Sequence, residues 1–156
     1  MIVLVTLGQE VLRESHHAAG RTSALTAVAV SYAETLPRVP ESARSARRLA
    51  SSALSAWGLE GARDAAQLVV SELVANAFMH ASGPRVRVTV TRQDRASVRL
   101  VVTDDDPRAM STDRSADDQA ESGRGLKLVA ALCDGRWGFD VLTHGKSVWA
   151  VFTEAQ

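Results

Sequence analysis

Residues 71–80 read SELVANAFMH (Ser71–His80), and within this apolar stretch Glu72, Asn76 and His80 stand at every fourth position. At roughly 100° per residue, each step of four advances only about 40° around a helix, so the three polar side chains form one slowly winding stripe. Val69 and Leu73 lie within or beside that stripe. Polar groups therefore emerge from an otherwise core-like surface. Asp64, Gln67 and Ser71 fall on a different side, the expected solvent face, and the helix is predicted to begin near Asp64. From this helix alone three arrangements stay open: a satisfied polar seam in the core, a wide solvated face, or groups presented to a ligand. Buried polar groups need partners, but partnership alone implies no function.

A hairpin follows in RVRVTVTRQDRASVRLVVTDDDP (Arg85–Pro107). Val86, Val88 and Val90 alternate with Arg87, Thr89 and Thr91, the period of a half-buried strand. The turn falls near Gln93–Ala96, and on the return strand Val98, Leu100 and Val102 share a face that Asp104 continues by parity. An acidic turn before proline accounts well for Asp105 and Asp106. It accounts less well for a carboxylate in the inward row.

Upstream, AVAVSYAETL (Ala27–Leu36) predicts a first strand. The next helix has Pro40 near its start and Gly58 just past its end, with Leu49, Ala53, Leu54 and Trp57 on its apolar side. Its arginines Arg44, Arg47 and Arg48 read as a solvated face, or as a contact for phosphate or a partner. Downstream, residues 108–122 are polar and without apolar periodicity, the pattern of a mobile loop. Gly123 and Gly125 then precede a predicted helix carrying Leu126, Leu128, Val129 and Leu132. Glycines before a helix let backbone N–H groups approach an anion, although the lysine of a P-loop is missing here. GRWGFDVL, a turn at THGK and SVWAVF predict a second hairpin at the end of the chain.

Composition narrows the class. A chain of 156 residues with 46% hydrophobic and 23% charged residues is expected to form one domain with a real core. Formal net charge is zero, so no global field draws the protein to nucleic acid or to a membrane. Cys133 is the single cysteine, which excludes an internal disulfide and a cysteine zinc cluster; it reads as a small buried residue. His16 and His17 read as solvated loop residues. The opening MIVLVTL is too short to span a bilayer and lacks the basic start of a signal peptide, so a cytoplasmic protein is expected. The expected division is an N-terminal extension over residues 1–27 and a single domain over 28–156.

Taken in order, ELVANAFMH, VVTDDDP, GRGLKLV and GKSVW resemble the motif series of the GHKL ATPase superfamily, which includes histidine-kinase catalytic domains, gyrase and the Hsp90 chaperone. The series is most similar to the small branch of bacterial anti-sigma-factor serine kinases and their actinobacterial relatives. The resemblance implies an α/β, two-layer α+β fold: a mixed, mainly antiparallel sheet covered on one face by helices, with ATP held between helices and a flexible lid. It implies that Asn76 holds Mg²⁺ against the phosphates, that Glu72 orients or deprotonates the attacking hydroxyl, and that His80 lies near the phosphates. Asp104 matches the carboxylate that binds the adenine amino group. Gly123 and Gly125, with the amides around Arg124 and Leu126, match the triphosphate cradle, and Gly145 and Ser147 match the late G-x-T element. The sequence departs from the family pattern at Asp106, where D-x-G calls for glycine. The implied partners are a sigma factor and an anti-sigma-factor antagonist as protein substrate, with a homodimer as the implied assembly. A nucleotide-dependent binding module without catalysis is the alternative.

Overall fold

A computed structural model of the chain describes residues 3–6, 30–81, 83–106 and 122–154. In chain order the elements are β1 (Val3–Thr6), β2 (Val30–Pro37), α1 (Ser42–Trp57), a short 3-10 turn (Glu60–Ala62), α2 (Arg63–His80), β3 (Arg85–Arg92), β4 (Ser97–Asp104), α3 (Ser122–Leu132), β5 (Trp137–Leu142) and β6 (Gly145–Thr153). The six strands form one sheet in the order β1-β2-β3-β4-β6-β5. The helices cover one face, which gives the expected two-layer α+β sandwich.

The sheet was expected to be mixed and mainly antiparallel, and every strand pairing described in it is antiparallel. Topology supplies the reason. The crossover through α3 leads from β4 to β5, and these two strands run in the same direction. The tight turn at Thr143–His144 then folds β6 back between them. The inserted strand is antiparallel to both neighbours, so the parallel contact that a β-α-β connection would otherwise make never forms. Strand β1 falls within the stretch predicted only as an extension; it pairs with β2 from Val3↔Ala33 to Thr6↔Val30.

The alternating rows of the sequence become the core. Val86, Val88, Val90, Val98, Leu100 and Val102 are at most 1% exposed, and they meet Leu49, Leu54, Val69, Val70 and Leu73 from the helices. Helix α1 ends as expected at Gly58, whose φ of 71° is a left-handed C-cap and whose N–H bonds back to the last turn. The β3–β4 turn is fixed by Asp94, whose carboxylate accepts the N–H groups of Ala96 and Ser97 at 2.9 and 2.8 Å. Those bonds, that of Ala96 first, hold the Asp94 carboxyl below its ordinary value.

One face assignment is refined. Gln67 and Ser71 are half-buried and meet α1: Gln67 Nε2 donates to Ser51 Oγ at 2.7 Å, and Arg47 donates to Ser71 Oγ at 3.2 Å. Arg47 thus belongs to a polar seam between the helices, while Arg44 and Arg48 remain exposed. The exposed side of α2 instead carries Leu68 and Met79. Helical spacing separates the faces of α2, but only the serines and arginine of α1 decide which face is paired. No helix among the described residues is long and apolar enough to cross a membrane.

Candidate functional site

Burial along the stripe of α2 is greatest at its middle residue. Glu72 is half-buried, Asn76 is 8% exposed, and His80 is exposed in the last turn. Among the described residues Asn76 Nδ2 has no hydrogen-bond partner. A buried amide donor left unpaired costs about 1–3 kcal/mol, so its retention calls for an explanation.

Helix α3 lies against α2 and supplies the second wall. Gly123 and Gly125 were expected just before the helix; both lie inside it, in the first turn of Ser122–Leu132. First-turn N–H groups lack intrahelical acceptors, so a glycine there still offers free donors. The absence of a side chain at Gly125 has a visible use. A Cβ there would collide with Glu72 Oε2 and lie 3.2 Å from Glu72 Cδ. The glycine therefore lets the start of α3 sit directly on the Glu72 carboxylate. Arg124 is exposed beside it, and Leu126 is half-buried.

The third wall is the end of the sheet. Asp104 ends β4 and is 2% exposed, as its inward parity predicts. It is not unpaired. Lys146, at the start of β6 and 3% exposed, brings Nζ to 2.9 Å from Asp104 Oδ2 and 3.2 Å from Oδ1. Oδ1 also accepts the Asp106 N–H at 2.9 Å. The register Asp104↔Lys146 sets the two residues opposite each other. Gly145 makes this start of β6 possible: its φ is 145°, and a Cβ would strike the Asp104 carbonyl oxygen. The C-terminal end of α2 adjoins the same place, since a Cβ on Gly83 would lie 2.8 Å from Asp105 Cβ. Arg38 ties that corner down by donating to the carbonyls of Gly83 and Phe78.

One residue of the expected site and one residue of the acidic turn are placed differently. Ser147 projects from the other face of the sheet, where its hydroxyl lies 3.1 Å from that of Thr103, so it does not join Asp104 on the helix-covered side. Alternation forces this, because Lys146 takes the inward position and its neighbour in the strand must point outward. Asp106, read as part of an acidic turn, is 1% exposed, while Asp105 is exposed. Lys146 is the residue that sequence reading missed. Its parity with Val148, Ala150 and Phe152 was the available signal, the same one that singled out Asp104. The polar segment 108–122 lies outside the described residues except for Ser122, as do His16 and His17.

The residues present fit a magnesium-bound triphosphate nucleotide on two counts: the buried Asn76 Nδ2 donor, unpaired among the described residues and able to serve a phosphate oxygen, and the first turn of α3, whose Gly125 packs without a side chain on the Glu72 carboxylate. Among the described residues no cluster of His, Cys, Asp or Glu could hold a metal by itself. That suits an ion that brings most of its ligands as phosphate oxygens and water.

An antiparallel sheet under one layer of helices, with a glycine-bearing helix start, a polar helix stripe and a strand-end carboxylate toward one end, defines an α+β sandwich that gathers its candidate site residues at that end. The histidine kinase-like ATPase domain matches residues 36–151, and the chain belongs to that family. No curated protein matches the chain. Membership supports ATP as the ligand and a kinase or regulatory role.

Proposed function

We propose that the protein is a cytoplasmic serine/threonine protein kinase of the anti-sigma-factor type. It would transfer the γ-phosphoryl group of Mg·ATP to a serine of an anti-sigma-factor antagonist, bind a sigma factor in the alternative complex, and work as a homodimer. The observation that carries this reading is the meeting of the Glu72 carboxylate with the first turn of α3 at Gly125, four residues along the helix from Asn76, whose buried Nδ2 donor is unpaired among the described residues. An acid group, free backbone donors and a side-chain amide at one place suit phosphoryl transfer.

In this reading Asn76 presents its amide oxygen to Mg²⁺, which supplies charge neutralisation when bound. The N–H groups around Gly123, Arg124, Gly125 and Leu126 receive phosphate oxygens, with His80 near the phosphates. Asp104 accepts the adenine amino group. Glu72 accepts the proton of the substrate serine as its oxygen bonds to the γ-phosphorus and the bond to the β-phosphate oxygen breaks, releasing ADP.

The test is incubation with γ-labelled ATP, Mg²⁺ and the antagonist encoded by a neighbouring gene. Label on a serine of that partner, lost in Glu72→Gln while nucleotide binding persists, is the expected result. Nucleotide binding without any transfer would favour the second reading, a binding module that sequesters a regulator. The buried Asp106 in place of glycine is the observation on that side.

A further inference from the structure

The Asp104–Lys146 pair has hydrogen-bonding capacity left over, and its arrangement is specific. An ionised carboxylate offers about four lone-pair positions. Oδ1 uses two of them, for the Asp106 N–H and for Lys146 Nζ, and Oδ2 uses one, for Nζ at 2.9 Å. An ammonium has three donors. Even with a separate proton assigned to each carboxylate oxygen, one N–H of Lys146 remains. That count leaves one acceptor position on Oδ2 and one donor on Nζ, 2.9 Å apart as atoms, without a further partner among the described residues. Both belong to side chains that are 2–3% exposed, where a hydrogen bond is strengthened and an unmet one is expensive.

The Watson–Crick edge of adenine is the complement of this pair, with the N6 amino donor beside the N1 acceptor. We infer that Lys146 is a specificity-determining residue that donates to adenine N1 while Asp104 accepts from the N6 amino group, so that the ion pair reads the base as a unit. This rests on the reading of the cleft as an ATP site. It assigns Lys146 a contact with the ligand beyond its structural bond to Asp104.

The test compares ATP with 1-deaza-ATP, in which a C–H replaces N1 and the amino group is kept. Each displaces a ribose-labelled fluorescent ATP, which leaves the base edge unmodified. Loss of one charge-assisted hydrogen bond in a dry site corresponds to on the order of tenfold or more in affinity. The native protein should therefore bind 1-deaza-ATP at least about tenfold more weakly, and Lys146→Met should bring the two affinities together. Equal binding of the two nucleotides by the native protein overturns the inference and leaves the ATP reading intact, and that measurement needs no variant. A preference that survives in Lys146→Met overturns it as well, since another donor would then serve N1. Failure of the labelled ATP to bind the native protein would remove the ATP reading and this inference together.

Discussion

Removing the charge of Lys146 should destabilise the fold far more than removing both charges of its pair. Lys146 and Asp104 are 3% and 2% exposed and 2.9 Å apart, on adjacent strands in direct register. Lys146→Met keeps an unbranched stem of similar length and deletes the ammonium, which leaves a buried carboxylate with only the Asp106 N–H as a described donor. Breaking a buried pair from one side typically costs about 3–5 kcal/mol, whereas replacing both partners is often near neutral. Domains of this kind are stable by about 5–15 kcal/mol in total, so the single variant gives up a large share. At about 2–4 °C per kcal/mol for a chain of this size, its melting temperature should fall by roughly 6–20 °C. Urea unfolding of the native protein, Lys146→Met, Asp104→Asn and the double variant would yield the coupling energy directly. The double variant should recover most of the loss seen in Lys146→Met. Raising salt should change the native value little, because screening reaches exposed charges and not this pair. A cost below about 1 kcal/mol for Lys146→Met, the range of surface ion pairs, would refute the reasoning.

Asn76→Ala should weaken binding of Mg·ATP much more than that of metal-free ATP, as titration with and without EDTA would show; equal weakening would contradict a role through the metal. Gly125→Ala places a methyl group against Glu72, so it should reduce nucleotide affinity by about tenfold or more while the fold, followed by circular dichroism, is kept. Cys133 is 1% exposed, and burial pushes its thiol above the ordinary value of 9.0. It should therefore resist a thiol reagent at pH 8 in the native state and react fully in urea. Because the folded state favours the protonated thiol, that contribution to stability is intact below pH 9.0 and is lost as pH rises through the folded value, so Cys133→Ala should flatten the alkaline limb of a stability–pH curve.

What the sequence made legible was periodicity, and what it hid was partnership. Alternation placed Val86, Val88, Val90, Val98, Leu100 and Val102 in the core and put Asp104 in the same inward row. The cap signals at Pro40 and Gly58 bounded α1 correctly. The partner of Asp104 could not be read this way, because the pairing Asp104↔Lys146 depends on the register between strands 42 residues apart. Local pattern carries no information about register until the intervening helix and hairpin are placed. The same limit explains Gln67 and Ser71, whose polarity was legible and whose hydrogen-bond partners, Ser51 as acceptor and Arg47 as donor, were not. The antiparallel course of the whole sheet likewise follows from the slot that β6 takes, a choice of topology and not of strand propensity.

Asp106 is the position where a departure from the family pattern matters, and the structure narrows what that break means. Glycine can be required at a site for three reasons: a left-handed backbone, close approach of another chain, or exposure of its N–H. The first does not apply here, since Asp134 is the one non-glycine residue with positive φ among those described. The third is met without glycine, because the Asp106 N–H is the group that bonds Asp104 Oδ1 at 2.9 Å, and any residue but proline supplies it. Only crowding remains. The side chain at 106 is 1% exposed and takes part in interactions of its own, so it is accommodated by its surroundings instead of projecting as an unmet charge. The departure from D-x-G therefore leaves the orientation of Asp104 intact and bears on the space beside it. A defect in phosphoryl transfer traced to Asp106 would have to act through the fit of the ligand, which separates it from Glu72, where the effect would lie in the chemistry alone.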